Sequence, residues 1–254
     1  MNVLTENFKL FNGDCLEVMN DISDESIDMI LCDLPYGKTR NKWDKIIPFD
    51  LMWKQYKRII KNRGSIVLFG NEPFSSQLIL SNLEMFKYRI TWKKTISSGQ
   101  LNCNYAPLKI CEDIIIFSKS GACYVKNKEK AMKYFPQFKK GTPYKIDRKI
   151  LKSTNYDYQK PNSCINEGFR YPTDIIEFSN PRIKNGHPTQ KPIDLLEYLI
   201  KTYTIEGDLI LDNCMGSGST GVACMNLNRK FIGIELDENY FDISIDRIFE
   251  NYNK

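Results

Sequence analysis

Apolar and polar residues alternate along the chain in stretches of strand and helix length. Apolar runs typical of strands, bounded by turn residues, cover residues 8–12, 27–32, 64–70, 88–93, 113–118, 208–212 and 230–235. Apolar positions at helical spacing cover residues 15–20, 51–60, 72–83, 193–203 and 240–252. Strands that alternate with helices predict a mainly parallel sheet with helices on both faces.

The alternation stops between residues 122 and 182, where Lys, Tyr, Asn, Pro and Gly dominate. The many aromatic residues of this stretch argue against simple disorder. Basic and aromatic residues in alternation suit contact with phosphates and unstacked bases. A small hydrophobic subdomain is the alternative interpretation, and the two are compatible.

Charge is distributed unevenly along the 254 residues, whose net charge is +5. Residues 93–160 hold 15 Lys and Arg against five acids, a local charge of +10, so the remainder carries −5. A basic block within a mildly acidic protein indicates a surface that faces a polyanion. A solvated lysine-rich face is the simpler explanation.

The cysteines and the single histidine argue against a bound metal. The eight cysteines are scattered without a Cys-x-x-Cys pair, so we expect reduced thiols and no metal site. No apolar run approaches the ~20 residues that span a bilayer, and the start lacks a secretion signal. We therefore expect a cytoplasmic protein with no membrane contact. The Lys-, Asn- and Ile-rich composition suggests a bacterial or phage-infected cell.

A glycine-rich turn follows the strand at residues 208–212 and leads into a helix that ends near Asn226. Asp212 ends the strand, the turn runs from Gly216 to Gly221, and Glu235 ends the next strand. Glycines allow a close backbone approach to a ligand, and an acid on the next strand can hold ribose hydroxyls. Both a dinucleotide and S-adenosylmethionine fit this pattern. Only 33 residues follow Gly221, which disfavours the dinucleotide because the remaining strands must come from upstream.

Asp33-Leu34-Pro35-Tyr36 lies at the end of the apolar run at residues 27–32. It places a carboxylate, a backbone carbonyl and an aromatic ring at the carboxyl edge of a sheet, where open α/β folds bind ligands. Two acceptors and a flat face match the amino group and ring of a nucleobase.

Together these segments resemble the DNA amino-methyltransferases that modify adenine or cytosine. Asp33 to Tyr36 is similar to their Asp-Pro-Pro-Tyr motif, and Asp212 to Gly221 to their cofactor loop. Further similar segments are Phe11 to Glu17, Gly64 to Asn71, Thr91 to Lys94, His187 to Pro192 and Phe231 to Asp237. The catalytic motif precedes the cofactor loop, which is the permuted order of the β group. The resemblance covers nearly the whole chain and is weakest between residues 122 and 182.

The resemblance implies a fold. We expect an α/β domain with a doubly wound, mostly parallel, seven-stranded methyltransferase sheet in circularly permuted motif order, and an inserted target-recognition region. Residues 1–95 would form the catalytic part, and residues 186–254 the cofactor-binding part. Residues 96–185 would form the target-recognition insert, which includes a core strand near 113–118.

The resemblance also implies an activity and its residues. The protein would transfer a methyl group from S-adenosylmethionine to N6 of adenine in double-stranded DNA, by base flipping and direct in-line transfer. The predicted catalytic residues are Asp33, Leu34 through its carbonyl, Pro35 and Tyr36. The predicted cofactor-binding residues are Asp14, His187, Lys191, Asp212, Asn213, Gly216, Ser217, Gly218, Thr220 and Glu235. The predicted DNA-binding residues are Lys93, Lys94, Lys139 and Lys140.

Several alternatives stay open at this point. Cytosine-N4 enzymes of the family mostly begin the motif with Ser, so Asp33 favours adenine. Cytosine-C5 methylation is disfavoured because its usual Pro-Cys dipeptide does not occur. An NAD-type oxidoreductase would leave Asp33 to Tyr36 unexplained, and intact Asp33 and Tyr36 argue against an inactive DNA-binding module. A homodimer and a cognate restriction endonuclease are compatible with the family, but the sequence identifies neither.

Overall fold

The computed structural model describes residues 2–37, 45–123, 125–148, 162–180 and 190–252. The strands are β1 (Asn2–Leu4), β2 (Phe8–Asn12), β3 (Ile27–Cys32), β4 (Ile60–Gly70), β5 (Phe86–Ser98), β6 (Lys109–Phe117), β7 (Lys139–Lys140), β8 (Tyr144–Arg148), β9 (Asn162–Asn166), β10 (Phe169–Arg170), β11 (Ile175–Phe178), β12 (Leu209–Asp212) and β13 (Lys230–Glu235). The α-helices are α1 (Cys15–Val18), α2 (Phe49–Ile59), α3 (Phe74–Ser81), α4 (Ile193–Tyr203), α5 (Ser219–Asn226) and α6 (Glu238–Tyr252).

The main sheet has nine strands in the order β1-β2-β13-β12-β3-β4-β6-β5-β11. Five of its neighbouring pairs are parallel and three are antiparallel, which confirms the predicted mostly parallel sheet. Seven strands, from β2 to β5, form the continuous centre. The two additional strands are short and lie at the edges: β1 pairs with β2, and β11 pairs with β5.

Helices cover both faces of this sheet, as predicted for a doubly wound fold. Side chains alternate between the two faces along a strand, so Met29 and Leu31 of β3 join one core while Ile30 and Cys32 join the other. The first core contains apolar residues of α4, α5 and α6, and the second contains those of α2 and α3.

The chain reverses its direction of winding between β12 and β3. From β12 the chain passes through α5 to β13 on one side, and from β3 through α2 to β4 on the other. β12 and β3 are parallel neighbours, with Leu211 opposite Ile30. Asp212 and Asp33 therefore reach the same edge of the sheet, at a topological switch point where α/β folds bind ligands.

The chain divides into two compact units. The first comprises Met1–Phe135 with Asp174–Lys254 and holds the nine-stranded sheet, so β11 returns to it. The second, Pro136–Thr173, contains the two-stranded pairs β7·β10 and β8·β9. Within it, the Phe138 ring contacts those of Phe169 and Tyr171. The target-recognition role of the insert stays a prediction.

No membrane-crossing helix occurs in the described part of the chain, because none of its helices is long and apolar enough.

Candidate active site

A cavity of about 820 Å³ opens at the switch point, within the first unit. Most of the predicted site residues line it, namely Asp14, Asp33, Leu34, Pro35, Tyr36, Lys94, Lys191, Asp212, Asn213, Gly216, Ser217, Thr220 and Glu235. The cavity therefore brings the tetrapeptide after β3 together with the glycine loop after β12, although about 180 residues separate them in the sequence. His187 lies outside the described residues.

Asp33 and Tyr36 contact each other directly at the end of β3. The Tyr36 hydroxyl donates a hydrogen bond to Asp33 Oδ1 at 2.7 Å, and Lys191 Nζ donates to Asp33 Oδ2. The Tyr36 ring packs against Phe74 of α3 at a centroid distance of 4.8 Å. Burial, together with the nearby charges of Asp33 and Glu112, raises the pKa of the Tyr36 phenol, which keeps it a neutral donor.

Leu34 and Pro35 complete the tetrapeptide. The Leu34 side chain is buried in the core beneath α2 and α3, so it anchors the segment at the cavity wall. Pro35 restricts the backbone and has no N–H to donate. The replacement of the family's usual proline by Leu34 thus adds an apolar anchor and leaves the main-chain carbonyl in place.

Glu112 of β6 is a site residue that the sequence analysis missed. Its carboxylate is 4% exposed and bonds Lys94 Nζ at 2.5 Å and Lys191 Nζ at 3.0 Å. Burial alone would raise the pKa of Glu112, but the ammonium groups of Lys191 and Lys94 outweigh burial and lower it. The available signal was the acidic pair Glu112-Asp113 directly before the apolar residues Ile114 to Phe117 of β6.

Lys191 links this acid to the tetrapeptide. Its ammonium bonds both Asp33 and Glu112 and lies 4.8 Å from the centre of the Phe69 ring. Burial by itself would lower the pKa of Lys191, but the two carboxylates outweigh burial and raise it. We call Asp33, Tyr36, Lys94, Glu112 and Lys191 the β3 side of the cavity.

The part of the cavity lined by Asp212, the glycine loop and Glu235, which we call the β12 side, holds its acids through hydrogen bonds. Asp212 accepts hydrogen bonds from the Thr220 hydroxyl at 2.6 Å and the Cys214 N–H at 3.1 Å. Glu235 accepts from the N–H groups of Gly216 and Asp237, both at 2.8 Å. No ammonium or guanidinium group of the described residues forms an ion pair with Asp212 or Glu235.

The pKa values of the β12 side follow from this arrangement. Burial raises the pKa of Asp212 to about 6, although the hydrogen bonds from Thr220 and Cys214 oppose the rise. Burial also raises the pKa of Glu235. Both carboxylates are therefore less stable as anions than an exposed acid, and a cationic ligand would stabilise them.

The glycine loop depends on glycine at Gly218 and is held in place by α6. Gly218 has a φ of +79°, and a Cβ there would lie 2.9 Å from Ser244 Cβ. Gly218 therefore supports the loop from behind, whereas Gly216 and Ser217 line the cavity. Arg247 of α6, which the sequence analysis missed, donates to the Ser217 carbonyl at 2.5 Å and to its hydroxyl at 2.7 Å.

Asp14 and Asn213 have structural contacts as well as places in the cavity. Asp14 caps α1 by accepting a hydrogen bond from the Leu16 N–H at 2.8 Å. Asn213 Oδ1 accepts a hydrogen bond from the Tyr56 hydroxyl of α2 at 2.5 Å. Both contacts fix the position of a residue that lines the cavity.

The lysines predicted to bind DNA have different surroundings. Lys93 is exposed and paired with Glu177 of β11 at 2.9 Å, whereas Lys94 points into the cavity. Lys139 and Lys140 are exposed on β7 in the second unit. Their phosphate contacts stay predictions.

The chain matches the DNA methylase family over residues 27–246. It belongs to that family. Membership confirms the predicted resemblance. The chain is also similar in sequence to individual curated proteins. The type II methyltransferase M2.MboI of Moraxella bovis is 28% identical over 270 residues, covering 96% of this chain and 89% of that protein. The DNA adenine methyltransferase YhdJ of Escherichia coli (strain K12) is 27% identical over 259 residues, covering 94% and 82%.

Solved structures share the fold of this DNA methylase. The M1.HpyAVI–SAM complex is 26% identical with a TM-score of 0.63, covering 95% of this chain and 98% of that one. The cytosine-N4-specific PvuII DNA methyltransferase has a TM-score of 0.68 at 18% identity, covering 98% and 92%. The second likeness concerns the fold alone. The predicted α/β methyltransferase fold is confirmed.

Proposed function

We propose that this DNA methylase transfers a methyl group from S-adenosylmethionine to N6 of adenine in double-stranded DNA. The observation that carries the proposal is the convergence of Asp33 and Tyr36 with Asp212 and Glu235 in one cavity at the switch point. A flipped base and a cofactor need adjoining sites of this kind.

The β12 side fits S-adenosylmethionine. When bound, this cofactor supplies an electrophilic methyl group on a positively charged sulfur. Asp212 and Glu235 are buried acids without a cationic partner in the described residues, and the glycine loop permits a close backbone approach. The residues that would hold the cofactor are Asp14, Asp212, Asn213, Gly216, Ser217, Thr220 and Glu235, all of which line the cavity. Gly218 would support the loop behind them, and Lys191 lies on the β3 side. A cofactor contact of His187, outside the described residues, stays a prediction from the resemblance.

The β3 side fits the amino group of a base. Asp33 and the Leu34 carbonyl would accept the two amine hydrogens, which favours a pyramidal nitrogen and returns electron density to it. The face of the Tyr36 ring would stack on the base, a contact of ~1–3 kcal/mol. Positioning and fixed charges would then provide most of the catalysis. Pro35 would hold the backbone that carries these groups.

Adenine is the proposed base because Asp33 begins the motif. In the family resemblance, Asp at this position is typical of adenine-N6 enzymes, and Ser of cytosine-N4 enzymes. The relative YhdJ is itself named a DNA adenine methyltransferase. N4-methylcytosine is the alternative product.

The DNA would meet two surfaces. The second unit presents Lys139, Lys140 and the exposed ring of Tyr171, which suit phosphates and unstacked bases. In the first unit, the β5–β6 hairpin lines the cavity with residues 96–100, and its tip exposes Leu101 and Tyr105 at 98% and 89%. Apolar side chains at such a rim suit contact with bases next to a flipped nucleotide. Lys93 and Lys94 lie on β5, which leads into this hairpin.

The biological setting is part of the proposal. Relatives named type II methyltransferases come from bacteria, including Moraxella bovis and Haemophilus parainfluenzae. We infer a role in the bacterial cytoplasm, alongside a cognate restriction endonuclease that recognises the same sequence. We also infer a homodimer, which sedimentation velocity would test.

A labelled-methyl transfer assay on mixed genomic DNA tests the proposed reaction. We expect radiolabel from S-adenosylmethionine in N6-methyladenine after digestion to nucleosides. Asp33→Ala should abolish the transfer and retain cofactor binding, measured by calorimetry. Asp246→Asn, which removes an exposed acid on α6, is the matched control. Label in Asp33→Ala equal to that of the control would contradict the assigned role of Asp33.

A further inference from the structure

Glu112 belongs to none of the motifs that suggested the activity, yet it lies at the centre of the β3 side. It is 4% exposed and accepts hydrogen bonds or ion pairs from three groups: Lys94, Lys191 and the Tyr36 hydroxyl, the last at 3.3 Å. A buried carboxylate is costly unless its partners compensate for the lost solvation. Glu112 has such partners, and two of them also contact Asp33.

The charges of the β3 side balance only when Glu112 is included. The carboxylates are Asp33 and Glu112, and the ammonium groups are Lys94 and Lys191. Lys94 contacts only Glu112 among the acids of the described residues, whereas Lys191 is shared between the two carboxylates. If Glu112 lost its charge, Lys191 would have Asp33 as its single anion.

We propose that Glu112 is a positioning residue for methyl transfer, since it holds Lys191 and Tyr36 and thereby sets the direction of the Asp33 carboxylate. The proposal rests on the proposed function, in which Asp33 and Tyr36 act on the target amine. Glu112 itself would not touch the base.

The two contacts restrain different parts of the site. Glu112 shares Lys191 with Asp33, and the ammonium lies closer to Asp33 than to Glu112. Without the Glu112 charge, Lys191 would bond Asp33 alone and compete more strongly with the amine hydrogens for the carboxylate oxygens. The single hydrogen of the Tyr36 hydroxyl is shared between Asp33 at 2.7 Å and Glu112 at 3.3 Å, so Glu112 adds a weaker contact at the edge of the ring. Phe74 contacts the same ring at a centroid distance of 4.8 Å. Small displacements of such groups lower the rate of transfer strongly.

Glu112→Gln is the first test, because it removes the charge and keeps the size of the side chain. In single-turnover experiments with saturating cofactor and DNA, we expect the transfer rate at pH 7.5 to fall at least tenfold. The dissociation constants for S-adenosylmethionine and for DNA should stay within twofold. A transfer rate within twofold of wild type at saturation, together with a raised dissociation constant for S-adenosylmethionine, would overturn the proposal, because Glu112 would then act through the cofactor site.

The neighbouring Asp113→Asn is the matched control. Asp113 follows Glu112 on β6, so its side chain points to the opposite face of the sheet. There it bonds Ser75 at 2.7 Å and Arg89 at 3.4 Å. We expect Asp113→Asn to lose no more than twofold in rate. Equal losses in the two variants would also overturn the proposal.

The pH profile separates positioning from a loss of folding. The titratable groups that surround Lys191 are Asp33, Glu112, the Tyr36 hydroxyl and Lys94, with Asp212 lying beyond Asp33. Loss of the Glu112 charge makes Lys191 easier to deprotonate, and a neutral Lys191 competes less with the amine hydrogens for Asp33, so the rate deficit of Glu112→Gln should shrink between pH 7.5 and 10. A constant deficit across this range indicates reduced active protein and contradicts the proposal.

Tyr36→Phe keeps the inference testable if Glu112→Gln does not fold. It removes the hydroxyl that bonds Asp33 and Glu112 and retains the stacking ring. We expect a loss of three- to tenfold in transfer rate with unchanged cofactor affinity. In the Glu112→Gln background, where that protein folds, Tyr36→Phe should lose a smaller factor than it does in wild type, because the hydroxyl there contacts Asp33 alone. An unchanged rate in Tyr36→Phe alone, or multiplicative losses in the double variant, would contradict the proposal.

Failure of the proposed methyl-transfer reaction and failure of the proposed role of Glu112 give different results. If the wild-type protein transfers no methyl group to DNA, the assigned reaction is wrong, and the role of Glu112 that rests on it is wrong as well. If wild type is active and Glu112→Gln matches Asp113→Asn, the reaction stands and the role of Glu112 is wrong.

Discussion

The two sides of the cavity hold their acids in opposite ways. On the β3 side, Asp33 and Glu112 are paired with Lys191 and Lys94. On the β12 side, Asp212 and its neighbour Glu235 accept hydrogen bonds from a hydroxyl and from backbone N–H groups. Burial acts to raise the pKa of Glu112, Asp212 and Glu235 alike, so the opposite shift of Glu112 comes from its cationic partners.

This difference indicates what each side is built to receive. Paired charges on the β3 side are already neutralised, which suits a neutral base whose amine needs an oriented acceptor. The acids of the β12 side carry raised pKa values and would be stabilised by a positive ligand. A sulfonium cofactor is such a ligand. A change on the β3 side should therefore lower methyl transfer, whereas a change on the β12 side should weaken cofactor binding.

The largest effect is expected at Asp33. Asp33→Ala removes an acceptor for the target amine and leaves Lys191 with Glu112 alone, so transfer should fall by at least about 10³-fold. The affinity for S-adenosylmethionine should change less than threefold, since the β12 side is intact. Rapid-quench kinetics and calorimetry measure the two quantities. A parallel loss of both would remove the distinction between the two sides.

Asp212→Asn should have the converse effect. It removes the charge and keeps a side chain that can still bond Thr220 and Cys214. We expect the dissociation constant for S-adenosylmethionine to rise about 30-fold, which corresponds to ~2 kcal/mol for a lost charge contact. Transfer at saturating cofactor should fall by a smaller factor. Unchanged binding, measured by calorimetry beside Asp246→Asn, would show that Asp212 does not face the cofactor.

The pKa of Asp212 near 6 predicts a pH effect on binding. Below pH 6 the free protein holds a proton on Asp212, and a cationic ligand must displace it. Affinity for S-adenosylmethionine should therefore fall by about tenfold between pH 7 and 5. Calorimetry at pH 5.5 in two buffers of different ionisation enthalpy should detect proton release. Absence of this release in wild type, or its persistence in Asp212→Asn, would argue against the assignment.

The raised pKa of Asp212 also affects the free energy of unfolding of the ligand-free protein. Whereas cofactor affinity rises with pH, this contribution to stability falls with pH. The folded pKa of Asp212 lies above the ordinary value of 3.8, so the folded state retains a proton that the unfolded chain releases between pH 4 and 6. Stability from this group is present at low pH and is lost as the pH rises through 6, a change of about 3 kcal/mol. Asp212→Asn should thus raise the Tm of the ligand-free protein by about 6–12 °C at pH 7. A lower Tm at pH 7 would contradict this cost of ionisation.

The smallest effect is expected outside both sides, at the tip of the β5–β6 hairpin. Leu101→Ala should weaken DNA binding by about fivefold, or ~1 kcal/mol, through lost contact with bases. Cofactor affinity should not change. Fluorescence anisotropy with duplex DNA at fixed salt gives the first quantity. Equal DNA binding by wild type and Leu101→Ala would exclude the tip from the interface.

The sequence predicts the centre of the fold well, for physical reasons. β3, β13 and α4 have the predicted bounds, since each is an apolar run or a helical stripe that ends at turn residues or proline. β11 was not predicted. It has four residues within a polar stretch, and its pairing with β5 joins positions more than 80 residues apart. Local patterns do not encode such a partner.

The same limit applies to the site. Asp33 and Asp212 could be predicted because each ends an apolar strand beside a distinctive turn. Glu112 and Arg247 could not, because the first precedes an apolar run on an antiparallel strand and the second lies in the last helix. Their contacts with Lys191 and Ser217 span 79 and 30 residues. Lys191 was predicted from the resemblance to bind the cofactor, and its contacts with Asp33 add a role on the β3 side.

Mapping modified bases in DNA from cells that express the protein tests most directly whether the two sides serve one reaction. Wild type should place N6-methyladenine in a single sequence context, and cells expressing Asp33→Ala should contain none in that context. N4-methylcytosine in place of N6-methyladenine would contradict the assigned base. Modification that persists with Asp33→Ala would contradict the account of the cavity as the site of methyl transfer.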